Sequence, residues 1–175
     1  MKMSDQLEKE ASSQVAALMA AAARTAPKTR GLDNIEIMVI DDDSTKARVI
    51  STMKGISKSE NRPSLERDAN SIAASQHLIV IGVKANPAGL NCGFCGYANC
   101  GELSKTKGIC AYNSMDLGIA VSSAAEMAGR FHIDNRLMYS IGRACLDMKL
   151  FSGTVKQALG IPLSVTGKNP FFDRK

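Results

Sequence analysis

Residues 114–130 read S-M-D-L-G-I-A-V-S-S-A-A-E-M-A-G-R. The stretch is apolar or small nearly all the way round a helical wheel, which predicts a central buried helix. Asn113 or Ser114 is its expected cap, and Asp116 stands near the positive helix end, where a carboxylate is favoured. Gly118, Ala120, Ser122, Ser123, Ala124 and Ala125 leave room for something to lie close against it: another helix, a symmetry-related subunit or a planar cofactor.

Working outward, the pattern alternates between helical and extended periods. Leu7, Ala11, Val15, Leu18 and Ala22 recur at three- and four-residue steps, so residues 5–24 read as an amphipathic helix closed by Pro27. Ile35–Ile40 reads as a strand. Asp41, Asp42 and Asp43 read as a turn and N-cap for a helix over 44–55, not as a metal cluster. Pro63 suits the first turn of a helix running to about Gln76. His77–Lys84 is a continuous apolar run, the pattern of a buried strand. Downstream, Leu137–Ile141 reads as a strand, 142–149 as a short helix, 153–159 as a turn of helix, and Ile161–Val165 as the last strand. The two adjacent phenylalanines of the tail, Phe171 and Phe172, are expected to dock on the body or on a partner chain.

Between the buried strand and the central helix lies N-C-G-F-C-G-Y-A-N-C-G-E-L-S-K-T-K-G-I-C, residues 91–110. Cys92, Cys95, Cys100 and Cys110 stand in C-x2-C-x4-C-x9-C spacing. Four thiolates on one loop are a donor set for a soft metal centre. Zinc sites tend to pair two C-x2-C knuckles, whereas this loop has one knuckle and two single cysteines. A [4Fe–4S] cube spreads its ligands and suits the arrangement better, and zinc or a thiol redox site are the alternatives. Gly93, Gly96 and Gly101 each follow a cysteine, where a missing Cβ lets N–H groups approach sulfur and permits φ > 0. Phe94 and Tyr97 are candidates to shield the centre. Lys84, Lys105 and Lys107 flank the loop and would favour a reduced, more negative cluster. The loop spans about 85–113, a length that normally needs a function or a crosslink. Cys145, in A-C-L-D-M, reads as a buried small hydrophobe.

At 175 residues and 45% hydrophobic content the chain has material for one core, so 1–175 is expected to be a single domain with 85–113 inserted in it. A net charge of +5 is mild, the basic residues are scattered, and no nucleic-acid motif is present. The longest apolar run, Leu78–Val83, cannot span a bilayer. The N-terminal M-K-M-S-D-Q-L-E-K-E lacks the apolar core of a signal peptide. Closely spaced reduced cysteines fit a cytoplasmic setting. His77 and His132 have no ligand spacing and read as structural. No nucleophile elbow, Walker loop or G-x-G-x-x-G is found, so a dinucleotide-binding fold is unsupported.

Four stretches carry a resemblance: N-C-G-F-C-G-Y-x-x-C (from Asn91), M-D-L-G-I-A (from Met115), D-N-R-L-M-Y-S-I-G-R-A (from Asp134) and L-G-I-P-L-S-V-T-G-K-N-P-F-F-D-R (from Leu159). Together they resemble the uncharacterised prokaryotic ferredoxin domain-containing proteins. A weaker similarity links the chain to nitroreductase-like flavoproteins. It rests on Ala23-Arg24-Thr25-Ala26-Pro27 before a strand, on Asp116, Gly118 and Ala120 in the later helix, and on Leu159–Pro162. That resemblance implies an α+β nitroreductase-like sandwich with a mainly antiparallel sheet and helices around a buried central helix. It also implies a homodimer with FMN at the subunit interface. The chain lacks the basic R-R-S-x-R segment of nitroreductases, and Thr29–Asn34 replaces their G-N-x-Q-P-W stretch. Arg24, Lys28, Thr29, Arg30 and Arg174 are then the nearest candidates to hold a flavin.

These readings point to a [4Fe–4S] redox protein on a nitroreductase-like scaffold, with FMN as a second cofactor serving an oxidoreductase that passes electrons to a small substrate. Two alternatives stand beside it. One is a non-enzymatic ferredoxin-like carrier or cluster-based sensor that docks on a redox partner, and the other is a zinc-stabilised binding module. Neither nucleic acid nor membrane is an expected partner.

Overall fold

In the computed structural model, which describes residues 1–172, the elements follow the alternation above. Helix α1 spans Ser4–Thr25 and ends where Ala26 and Pro27 turn extended. A 3₁₀ turn at Thr29–Gly31 leads into strand β1, Ile35–Ile40. Helix α2, Asp43–Ser59, is capped by Asp42, whose Oδ1 accepts from Thr45 N at 2.7 Å and from Ser44 Oγ at 2.5 Å. The three aspartates thus make a turn and a cap. Helix α3 starts at Pro63 but stops at Ile72, short of Gln76, because the Ser75 hydroxyl and N–H both take the Ile72 carbonyl. Strand β2 is His77–Lys84.

The segment from 85 to 110 follows and contains one short helix, α4, Cys100–Ser104. Helix α5 is Ala111–Arg130. It therefore starts three residues before Ser114, with Cys110 in the extended cap position and no side-chain cap. Strand β3 is only Asp134–Asn135, helix α6 is Tyr139–Asp147, and strand β4 is Val155–Ser164.

Two expectations fail here. Leu137–Ile141 is not a strand: Met138 makes a single bridge to Gly160, and α6 begins at the next residue. Nor is 153–159 helical. Gln157 and Leu159 pair with Val83 and Ile81, and sheet pairing overrides the helical preference of K-Q-A-L.

The sheet order is β1-β2-β4-β3, antiparallel throughout. Period-two alternation divides β2 between two cores. Ile79, Ile81 and Val83 join Ile161 and Leu163 beneath α1 and α5. Leu78 and Val80 pack with Ile40 and Ala158 beneath α2, α3 and α6. Helices thus cover both faces of an antiparallel sheet, an α+β sandwich. Phe171 is buried in the second core, while Phe172 is exposed beneath the Arg136 guanidinium, 5.2 Å from its ring centre. Cys145 is fully buried there too, and burial pushes its thiol up to about 12. His77 is buried against Ser12, Nδ1 to Oγ 2.8 Å, a structural setting.

Helix α5 departs from its composition. Asn113, Asp116, Leu117, Ala120, Val121, Ala124 and Ala128 face inward, but Met115 and Ile119 are about 40% exposed on the outer side. Within one chain it is buried on one face only.

Candidate metal centre

The segment between β2 and α5 leaves the sheet at Lys84, runs out along Ala85–Ala88, folds over at 91–100, and returns through α4 to Cys110. Asn91 takes φ +50°, a conformation Asn tolerates better than most residues, and Gly93 and Gly96 take φ +69° and +85°. These three turns close the knuckle around Cys92 and Cys95, with Gly96 N donating to Gly93 O at 2.9 Å. Gly101 differs from the other two: it is helical, in α4, and its missing Cβ clears Asn99 Oδ1, which a Cβ would approach to 3.1 Å. Asn99 Oδ1 caps α4 by accepting from Glu102 N at 3.0 Å.

Cys92, Cys95, Cys100 and Cys110 line a single hollow, with Leu90, Phe94, Tyr97 and Tyr112 forming its apolar walls. Exposure is graded: Cys92 is exposed, Cys95 and Cys100 half-buried, Cys110 buried. Asn91 clamps the third cysteine twice. Its Oδ1 accepts from Cys100 N at 3.0 Å, and its N–H donates to Cys100 Sγ at 3.4 Å. Sequence reasoning missed Asn91, although its place before the first cysteine and its tolerance of positive φ were available signals. Phe94 and Tyr112 stack tilted at 6.0 Å across the mouth, so the second aromatic wall comes from α5. Asn113, one turn after Cys110, is buried, and its Oδ1 has no hydrogen-bond partner among the described residues.

The cations around the loop are not equivalent. Lys84 pairs with Glu36 at 3.6 Å and Lys105 with Glu102 at 2.9 Å. Lys107 has no ionic or hydrogen-bond partner among the described residues.

The donor set fits a cluster. Among the described residues no three His, Cys, Asp or Glu side chains form a group that could hold a single ion. Four thiols nevertheless line one hollow, and a four-iron cube, each iron taking one thiolate, asks for ligands spread round a larger body.

The residues expected to hold flavin are sent to different partners. Arg24 donates to Asp33 and, at 2.8 Å, to Ile35 O. Burial would raise the Asp33 carboxyl, but the Arg24 hydrogen bond, the Ile35 N–H and the charges of Arg24 and Lys28 hold it below its ordinary value. Lys28 Nζ folds back on the end of α1, donating to Ala23 O, Arg24 O and Ala26 O. Thr29 N and Oγ1 both bond Asp116 Oδ1, at 3.0 and 2.9 Å, pinning the 3₁₀ turn to α5. Arg30, at φ +56°, donates to Ala88 O at 2.9 Å and so ties that turn to the cysteine loop. Each of the four side chains is thus engaged within the chain, and Arg174 lies outside the described residues.

Comparison with known proteins places these features. Residues 106–174 match the family model described as uncharacterized protein containing a ferredoxin domain, a span that includes Cys110 but not the first three cysteines. An uncharacterized protein of Archaeoglobus fulgidus is 38% identical, over 91% of this chain and 89% of its own length. The fold is similar to that of a nitroreductase with bound FMN from Bacteroides fragilis (TM-score 0.64, 10% identity, 93% of this chain and 81% of that one). It is also similar to a BluB-like flavoprotein from Clostridium difficile (TM-score 0.61, 15% identity, 97% and 84%). At such identities the likeness concerns the fold, which is nitroreductase-like.

Proposed function

The chain belongs to the family of uncharacterized proteins containing a ferredoxin domain, and on that premise we propose that it is a redox protein holding a [4Fe–4S] cluster on Cys92, Cys95, Cys100 and Cys110. The observation that carries the reading is that all four thiols line one apolar hollow. When bound, such a cluster supplies one-electron transfer at a potential set by hydrogen bonds to sulfur, burial and nearby charge. The chain's own residues govern those terms. Asn91 N–H donates to Cys100 Sγ, the Phe94 and Tyr112 rings pair at 6.0 Å beside the hollow, and Cys110 at the start of α5 meets the positive end of that helix's dipole. Exposed Cys92 marks the side nearest solvent, the natural entry for an electron from a partner.

The nitroreductase-like fold supports a flavin as a second cofactor, and an oxidoreductase acting on a small substrate would follow from it. Arg24, Lys28, Thr29 and Arg30 do not fit that role as they stand, each being engaged inside the chain, so no step is derived through FMN. A homodimer is part of the same proposal. The groove between α1 and α5, with Leu18, Ala22 and Met127 along it, continues into exposed Ile119 and Met115, and a second copy would bury the outer stripe of α5. Reduced cysteines in this number suit the cytoplasm. Among the described residues, no helix is long and apolar enough to cross a membrane.

The test is purification without oxygen, followed by iron, sulfide, zinc and flavin assays on one sample. A brown protein carrying about four irons per chain and bleached by dithionite is expected. Cys100→Ala should lose most of that iron while keeping its circular dichroism. Stoichiometric zinc in a colourless protein overturns the cluster. Iron without flavin favours an electron carrier or sensor over an oxidoreductase.

A further inference from the structure

A second hollow lies on the other side of the cysteine loop. Its outgoing limb, Ala85 and Pro87, and its returning limb, Leu103 to Ile109, stand apart around a cleft of about 630 Å³. That is inside the range of small-molecule sites, ~300–1,000 Å³. Two features give the cleft a chemistry. Ala85, Pro87, Leu103 and Ile109 make it apolar, and its charged lining residues are Lys107, from the loop, and Lys156, from β4. Among the described residues no carboxylate lines it. Lys107 is the loop cation without a partner among the described residues, whereas Lys84 and Lys105 are each neutralised by a glutamate. Lys156 Nζ donates to Gly153 O at 2.8 Å and keeps two further N–H donors, since an ammonium has three.

We propose that this cleft binds a small organic carboxylate with an apolar body, the carboxylate held between Lys107 and Lys156 and the body against Leu103 and Ile109. Complementarity argues for that class over a bare inorganic anion or a neutral apolar molecule. A bare anion leaves the apolar wall wet, and a neutral ligand leaves two ammonium groups facing an apolar neighbour. The position gives the site its interest. Leu103 is buried against Cys110 and Ala88, so one side chain separates the apolar body of the ligand from the most buried cysteine of the metal centre. The site goes beyond the redox reading and does not depend on which metal the cysteines hold.

The experiment is calorimetric titration of the full chain, as purified with its metal, at low salt. Benzoate is the probe, with benzamide and sulfate as comparators. Benzoate is expected to bind saturably and more tightly than either comparator. Lys107→Ala/Lys156→Ala should weaken it about tenfold or more, the loss expected when charge-assisted hydrogen bonds go. Lys58→Ala, which removes the same charge from α2, should leave the affinity unchanged, and Lys156→Arg should retain most of it. Absence of saturable binding overturns the proposal. So does benzamide or sulfate matching benzoate, or a double variant that binds like the parent. Visible absorption on the same samples reports the cluster separately, so a failure of the redox reading cannot be mistaken for a failure of this one.

Discussion

Replacing Gly142 by alanine should damage this fold far more than a single methyl suggests. Gly142 is in α6, inside the I-G-R-A stretch, and α6 lies hard against β4. An added Cβ would stand 1.8 Å from Ala158 O, 2.3 Å from Ala158 C and 2.8 Å from Leu159 N. Comfortable carbon contacts begin near ~3.5 Å, so helix and strand must part by roughly 1.5 Å. Both obstacles are backbone, so no side-chain rotation relieves them. The shift also strains the paired hydrogen bonds between Met138 and Gly160, 2.8 and 3.0 Å, which join the start of α6 to the same strand. Overpacking costs ~1–3 kcal/mol, and the upper end applies where backbone must move. The better helix propensity of alanine offsets up to ~1 kcal/mol. A net loss of about 2–3 kcal/mol follows, lowering Tm by roughly 4–12 °C at this chain length. Gly55→Ala provides the control of opposite sign. Gly55 is exposed within α2, and no described residue lies within 4 Å of its would-be Cβ, so alanine should stabilise by about 1 kcal/mol. Urea unfolding followed by far-UV circular dichroism measures both. A Gly142→Ala protein within about 0.5 kcal/mol of its parent, the scatter of neutral surface changes, would refute the close approach of α6 to β4.

Three further outcomes are expected. Hydrogen bonds from the Ser44 hydroxyl and from Thr45 pull the Asp42 carboxyl down to about 2 from its ordinary 3.8. Its capping contribution is therefore full above about pH 4 and fades as pH falls towards 2, so Asp42→Asn should flatten that limb of a stability–pH profile; an unchanged limb would assign the acid sensitivity elsewhere. Cys145, buried and with its thiol raised to about 12, should resist alkylation until the chain is unfolded, whereas metal-free protein should react first at exposed Cys92. Mass spectrometry of partially alkylated protein orders the two, and early labelling of Cys145 would contradict its packing. Asp116→Ala removes the acceptor of both Thr29 bonds and should cost about 1–3 kcal/mol, with faster amide exchange at Thr29 as the local readout.

Much of this protein is written in local pattern. The apolar run of β2, the three-four spacing of α1 and the Asp42 cap each follow from one physical rule applied over a few residues, and all three appear in the structure where the rule puts them, while the four cysteines line one hollow. What local pattern missed was decided by pairing across the chain. Residues 155–159 carry helix-forming side chains, yet they complete β4 because β2 already offers a ladder with both cores behind it. Met138 fails as a strand because only Gly160 meets it. Helix α5 is apolar all round in composition, and only its position beneath the sheet shows which stripe is core and which faces out.

The same division holds at the site. Cysteine identity and spacing are sequence properties, since thiolate chemistry needs no fold to be recognised. The roles of Asn91 and Tyr112 and the engagement of Arg24, Lys28, Thr29 and Arg30 inside the chain are not. Each depends on residues up to 87 positions apart being brought within hydrogen-bond or contact distance. A sequence specifies which donors and acceptors exist; only tertiary packing decides which of them are already spoken for and which still face a ligand.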